Sequence, residues 1–179
     1  MGDLLIVFFI TVADQITKFL AVSALKPRYT YPIIQDVLHL TYLENTGAAF
    51  GILKNARWIF MILTTVVVIA LAMFIVLRRE KLSGLLTVGL CFVIGGGIGN
   101  MIDRVFNGYV VDFIDFRLIN FAIFNVADTF VTIGVVLIVI DVLFGKGRSL
   151  LVPEKKSEST ENPGEAESET EEKNEDNSD

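Results

Sequence analysis

Four stretches of the chain are apolar for long enough to cross a bilayer. The clearest, Trp58–Leu77 (WIFMILTTVVVIALAMFIVL), runs 20 residues without a charge. At 1.5 Å per residue it covers roughly 30 Å of hydrocarbon. A second uncharged run extends from Leu85 to Ile102 and contains GGGIG, which weakens a helix in water but lets helices approach closely in lipid. A third extends from about Ala122 to Leu143, with Asp128 near its start and Asp141 near its end. The fourth is N-terminal, from Leu4 to about Leu25, interrupted by Asp14 and Lys18. The pattern predicts an α-helical polytopic membrane protein with four transmembrane helices.

The N-terminal run has some features of a signal peptide, including VSA at Val22–Ala24. Its start, however, carries Asp3 and no basic residue, and two charges split its apolar stretch, so it reads as a retained span. Asp14 and Lys18 are four apart and share one helix face, where they partly neutralise each other.

The connections set the orientation. The short loop RREKLSG (Arg78–Gly84) holds three basic residues in seven, and Lys146 and Arg148 follow the last span. The positive-inside rule places both, and hence both termini, in the cytoplasm, although Lys26, Arg28, Lys54 and Arg57 reduce the contrast. The connections Lys26–Asn55 and Asn107–Phe121 then lie outside. Within the first, YTYPIIQDVLHLTYLENTGAAFGIL alternates β-branched, aromatic and polar residues, which predicts short strands and a turn at Gly47. The expected organisation is a membrane domain over residues 1–152 and an acidic cytoplasmic tail over 153–179. That tail is too polar to bury a core and is expected to be disordered.

Composition sharpens the division. The net charge of −6 is local: 11 acidic residues and 3 lysines follow Pro153, whereas residues 1–153 hold 12 basic and 10 acidic residues. No basic surface with interleaved aromatics suggests nucleic acid. One cysteine, Cys91, excludes an intrachain disulfide and a multi-cysteine metal site, and its apolar context reads as a buried small hydrophobe. One histidine, His39, leaves no histidine metal cluster, and no G-x-S-x-G elbow accompanies it.

The costly residues are carboxylates. VVDFIDFRLINFAIFNVADTF (Val110–Phe130) sets Asp112, Asp115 and Asp128 among Phe, Ile and Val. Asn100, Asp103 and Arg104 fall at helical spacing at the outer end of the third span, and Asn125 and Asp128 at that of the fourth. The topology gathers these groups at one membrane depth. Structural roles account for several: Asp103 with Arg104 as a salt-bridged helix end, Asn100 and Asn125 as hydrogen bonds between helices, Asp115 beside Arg117 facing water, and Asp141 at the inner interface. Asp112 and Asp128 are the hardest to assign in this way. Two facing carboxylates in a dry site share a proton, so that one activates water while the other donates to a carbonyl. On residues alone, a paired-aspartate hydrolase, a small ion-coupled transporter with Asp112 and Asp128 as pathway carboxylates, metal-assisted chemistry and purely structural contacts all stay open.

Five stretches go further: VADQITK (Val12–Lys18), ENTGAAFG (Glu44–Gly51), GGGIGNMIDRV (Gly95–Val105), GYVVDFI (Gly108–Ile114) and FNVADTF (Phe124–Phe130). Together and in this order they resemble the bacterial lipoprotein signal peptidases, four-span membrane aspartyl proteases, over about residues 1–145. The resemblance implies Asp112 and Asp128 as the catalytic pair, with Asp103 in support. It also implies Asn100, Arg104 and Asn125 around them, Asp14 and Lys18 as the polar pair of the first span, and Asn45 and Gly47 in the outer loop bordering the site. The implied substrate is a prolipoprotein whose lipobox cysteine bears a diacylglyceryl group, cut just before that cysteine near the outer face of the cytoplasmic membrane. Membrane lipid is the other implied contact; no cofactor, metal, nucleic acid or obligate protein partner is implied. The chain shows no internal repeat of the kind that marks many transporters, and it lacks the DGxxAR…GxxxDxxxD pattern of metal-dependent CDP-alcohol transferases.

Overall fold

The computed structural model describes residues 2–47 and 57–145. The end of the first outer connection, the basic pair Lys146 and Arg148, and the acidic tail lie outside the described residues. Four helices are long and apolar enough to cross a membrane: α1 (Gly2–Leu25), α2 (Arg57–Arg78), α3 (Gly84–Phe106) and α4 (Val126–Phe144). The predicted spans are all present. The largest revision is at α4, which starts at Val126 because Asn125 caps it; Phe121–Phe124 instead form an extended approach, in which Phe124 bridges to Ile114.

α3 packs against the other three helices, and its glycines make this possible. Consecutive glycines on a helix point in directions about 100° apart. A Cβ at Gly95 would lie 2.9 Å from Ile10 of α1, one at Gly96 would overlap the Ala127 carbonyl of α4, and one at Gly97 would lie 3.3 Å from Val68 of α2. Lower down, Gly89 and Gly134 abut backbone to backbone: a Cβ at Gly134 would meet the Gly89 oxygen at 2.6 Å. Small residues here replace the hydrophobic drive that helices lack in lipid. α2 leaves most of its side chains on the outside, with Ile75 its one buried residue. Cys91 is fully buried beside Leu90 and Ile94, as an apolar side chain would be.

At the end of the bundle where α1 and α3 finish and α2 and α4 begin lies an antiparallel sheet in the order β1 (Thr30–Ile34), β2 (Leu38–Asn45), β3 (Val110–Phe116). β1 and β2 come from the connection where the sequence predicts strands. β3 comes from the connection between α3 and α4, outside that region. Its apolar wording follows from burial on both faces: Val111 and Phe113 pack with Ala21 and Leu25 of α1, while Val110 and Asp112 line a cavity on the opposite side. This is the period-two alternation of a strand. β2 inserts one extra residue between the pairs Leu40–Ile114 and Leu43–Asp112, a bulge that increases the local twist.

Asp115 and Asp141 are both buried. Asp115 does not face water: it is 7% exposed, and its Oδ2 accepts from Thr41 Oγ1 at 2.7 Å and from Arg117 Nε at 2.9 Å. Burial alone would raise the Asp115 carboxyl, but these two donors and the Arg117 charge outweigh it and hold it below its ordinary value. Asp141, in the last turn of α4, is also buried and accepts from Ser83 Oγ at 2.6 Å. Ser83 caps α3, so this bond ties the start of α3 to the end of α4.

Candidate active site

β3 and the first turn of α4 deliver one carboxylate each to the same cavity, of about 430 Å³. Asp112 is 2% exposed, and Asp128 is half-buried. Asn45, Gly47, Asn100 and Arg104 line the same space, and Phe121, Ile123, Val131 and Ile133 give it an apolar wall. The carboxylates come together because Asn125 does two jobs. Its Oδ1 accepts from the Asp128 backbone N–H at 3.0 Å while Asp128 Oδ2 accepts from the Asn125 N–H at 3.2 Å, a reciprocal capping box. Its Nδ2 then donates to Asp112 Oδ1 at 2.6 Å.

Three asparagine amides hold the pair, and their orientations follow from their neighbours. An asparagine oxygen and nitrogen are told apart by what they face. Asn45 turns its oxygen to the Gly47 N–H at 2.9 Å, so its Nδ2 donates to Asp112 Oδ2 at 2.8 Å. Asn125 turns its oxygen to the Asp128 N–H, so its Nδ2 meets Asp112. Asn100 turns its oxygen to the Lys18 ammonium at 2.8 Å, so its Nδ2 donates to Asp128 Oδ1 at 2.7 Å. Each of the four carboxylate oxygens thus receives one N–H.

Burial pushes the Asp112 carboxyl up to about 7; the hydrogen bond from Asn45 opposes that rise, the Asp128 charge adds to it, and the bond from Asn125 opposes it again.

Beneath the pair lies a buried ionic cluster. Lys18 pairs with Asp14 at 2.9 Å, as its position one turn on predicts, and also with Asp103 at 3.1 Å. Asp14 reaches past Gly99, where a Cβ would collide with its carboxylate, to accept from the Ala127 N–H of α4 at 2.9 Å. Asp103 accepts from the Val111 N–H of β3 at 3.0 Å. The expected Asp103–Arg104 helix-end pair is therefore replaced: the cation beside Asp103 comes from α1, because Arg104 is adjacent in sequence and points to the cavity instead. Arg104 rests over the Phe60 ring, 5.2 Å from its centroid, and its Nη1 donates to the Asn100 carbonyl at 3.4 Å.

The sequence and the fold have relatives. The family model described as Signal peptidase (SPase) II matches residues 6–144. The chain belongs to the signal peptidase II family. It is similar to proteins named lipoprotein signal peptidase from Brevibacillus brevis, 49% identical over 77% of this chain and 92% of that one, and from Clostridioides difficile, 42% identical over 82% and 97%. Two solved structures described as bacterial membrane enzymes match the fold with TM-scores of 0.72 and 0.71 at 34% and 36% identity, covering 86% and 80% of this chain and 93% of each. Membership makes the chain a membrane aspartic peptidase, and none of these matches supports the transporter alternative.

Of the residues singled out from the sequence, Asn45, Gly47, Asn100, Arg104, Asp112 and Asp128 line the cavity and Asn125, Asp14, Lys18 and Asp103 lie beside or beneath it, whereas Asp115 and Asp141 are held elsewhere. Gln15 was missed. Its Nε2 lies within hydrogen-bond distance of Asp14, Asp103 and the Gly99 carbonyl. Its place beside Asp14 was visible in VADQITK, but its reach to α3 was not. The wall from Phe121 to Phe124 is not legible either, because Phe121 reads as the end of a connection and Ala122–Phe124 as the start of a span.

Proposed function

We propose that this chain removes the signal peptide from prolipoproteins whose lipobox cysteine carries a diacylglyceryl group, cutting just before that cysteine. The observation that carries the reading is the pair of carboxylates in one apolar-walled cavity, with every oxygen held by an N–H donor. Asp112, the more buried and with its carboxyl raised by burial, is the member of the pair that carries the proton in the working state and donates it to the scissile carbonyl oxygen. Asp128, on the more open side, takes a proton from the attacking water. When the tetrahedral intermediate collapses, that proton passes to the leaving nitrogen, and a hydroxyl of the intermediate returns one to Asp112. The apolar wall suits acyl chains entering sideways from the bilayer, which spares them a passage through water. Arg104 places a positive charge at the cavity for polar groups of the substrate. The direct test is cleavage of a synthetic diacylglyceryl-modified lipobox peptide by the purified chain; no cleavage by folded protein counts against the reading.

The proton assignment gives a pH dependence. The working state carries one proton, on Asp112, and raising the pH through about 7 removes it. kcat/KM for the peptide is therefore expected to fall on the alkaline side with an apparent pKa near 7, by about tenfold per pH unit beyond it. A profile flat to pH 9 would contradict the assignment.

The same reading places both termini in the cytoplasm, the sheet and the site at the outer face of the bacterial cytoplasmic membrane, and residues 153–179 inside as a separate acidic tail. It rests on the basic loop Arg78–Lys81. Single cysteines introduced at Gln35 and Lys81, both exposed, are expected to react with an impermeant reagent from outside and from inside respectively. Buried Cys91 adds little background. Labelling of Lys81→Cys in intact cells would reverse the orientation.

A further inference from the structure

Lys18 lies in α1, apart from both carboxylates of the pair, yet it touches the asparagine that holds one of them. We infer that Lys18 is a positioning residue for Asp128, acting by fixing which end of the Asn100 amide faces the catalytic carboxylate. This inference rests on the reading of Asp112 and Asp128 as the catalytic pair.

The ammonium of Lys18 is 3% exposed and meets three oxygens: Asp14 Oδ2 at 2.9 Å, Asp103 Oδ2 at 3.1 Å and Asn100 Oδ1 at 2.8 Å. It has three N–H donors and no acceptor, so every donor has an oxygen. The two carboxylates come from different helices, α1 and α3, and aim the third donor at Asn100. An amide facing an ammonium must present its oxygen. Asn100 Nδ2 is then left facing Asp128 Oδ1, where it donates at 2.7 Å. A half-turn of the amide would set its NH2 against the ammonium and its oxygen against a carboxylate, losing both bonds and adding two repulsive contacts.

The three asparagines of the site differ in what locks them. Asn45 and Asn125 are locked by backbone N–H groups, of Gly47 and Asp128. Asn100 is locked by the Lys18 side chain, with a second, longer bond from Asn125 Nδ2 at 3.1 Å. The Lys18 bond is shorter and charge-assisted, and such bonds are about twice as strong as neutral ones. Without Lys18 only the weaker lock remains, so Asn100 spends part of its time turned away and Asp128 Oδ1 loses its donor, while Oδ2 keeps the Asn125 N–H. The remaining wall of the cavity, and with it substrate binding, is untouched.

The test is a kinetic comparison on the diacylglyceryl-modified lipobox peptide, with wild-type protein and Asp112→Asn alongside. Lys18→Met keeps the unbranched chain as far as Cε and removes the ammonium with its donors. It is expected to lower kcat about tenfold, or about 1.4 kcal/mol, with KM within about twofold. In an Asn100→Ala background, measured by single turnover, removing Lys18 is expected to add less than a twofold loss, because both changes remove the same Asn100–Asp128 contact. Lys18→Met leaves Asp14 and Asp103 without their cation, which alone can impair folding. Lys18→Met/Asp103→Asn preserves the net charge of the cluster and is expected to show the same loss. Wild-type kcat in folded Lys18→Met, wild-type kcat in the charge-balanced variant, or losses that add in the Asn100→Ala background would each overturn the inference. Undiminished cleavage by Asp112→Asn would instead overturn the catalytic pair on which it rests.

Discussion

Asp112→Asn and Asp128→Asn are each expected to reduce cleavage of a diacylglyceryl-modified lipobox peptide by about a thousandfold or more, with little change in peptide binding. An amide has the size of a carboxyl group but cannot exchange the proton that the pair passes between water, carbonyl and leaving group. A thousandfold corresponds to about 4 kcal/mol of lost transition-state stabilisation. The double variant is no worse than either single one, because each already disables the unit. Asp115→Asn is the control, within about fivefold of wild type. It is three residues from Asp112 and equally embedded in apolar sequence, but its carboxylate is spent on Thr41 and Arg117. Single-turnover cleavage with a parallel binding measurement decides the matter. Near-normal cleavage by folded Asp112→Asn or Asp128→Asn removes that residue from the pair; loss confined to Asp115→Asn and Asp128→Asn moves the pairing to Asp115.

Gly96→Ala is the second large effect, and Gly97→Ala is its control. A Cβ at Gly96 overlaps the Ala127 carbonyl and lies 2.7 Å from Val131 Cγ2. The carbonyl is backbone and cannot turn aside, so α4 must move away from α3. Asp128 directly follows Ala127 and moves with it, off the Asn100 donor. Overpacking of this kind costs about 1–3 kcal/mol, an apparent Tm in detergent lower by about 5 °C, and the misplaced carboxylate removes most turnover. At Gly97 the added methyl meets only Val68 Cγ2 at 3.3 Å and Thr64 Cγ2 at 3.6 Å, side chains of the sparsely packed α2. Alanine there is expected to be neutral or slightly stabilising through its better helix propensity. Thermal unfolding and activity of the two variants check this together. Equal effects at both positions would mean that the α3–α4 contact does not position Asp128.

The four spans are legible in the sequence, since length and apolarity alone decide whether a helix can cross hydrocarbon. The sequence by itself determines that Asp14 and Lys18 meet, since residues four apart share a helix face. It also marks Asp112 and Asp128, since a carboxylate in apolar surroundings demands a reason. Where partners lie far apart in the chain, these local rules give no direction. Sequence adjacency pairs Asp103 with Arg104, whereas the packing of α1 against α3 brings Lys18 to it and turns Arg104 to the cavity. Asp115 was assigned to water, whereas β3 is covered on both faces and β2 supplies Thr41. β3 itself was hidden, because a strand buried on both sides has the same apolar wording as a short span. Tertiary structure alone decided the orientations of Asn45, Asn100 and Asn125. An amide has no preferred direction of its own; the donors that fix it come from a turn, a helix end and another helix, and only the folded chain brings them within 3 Å.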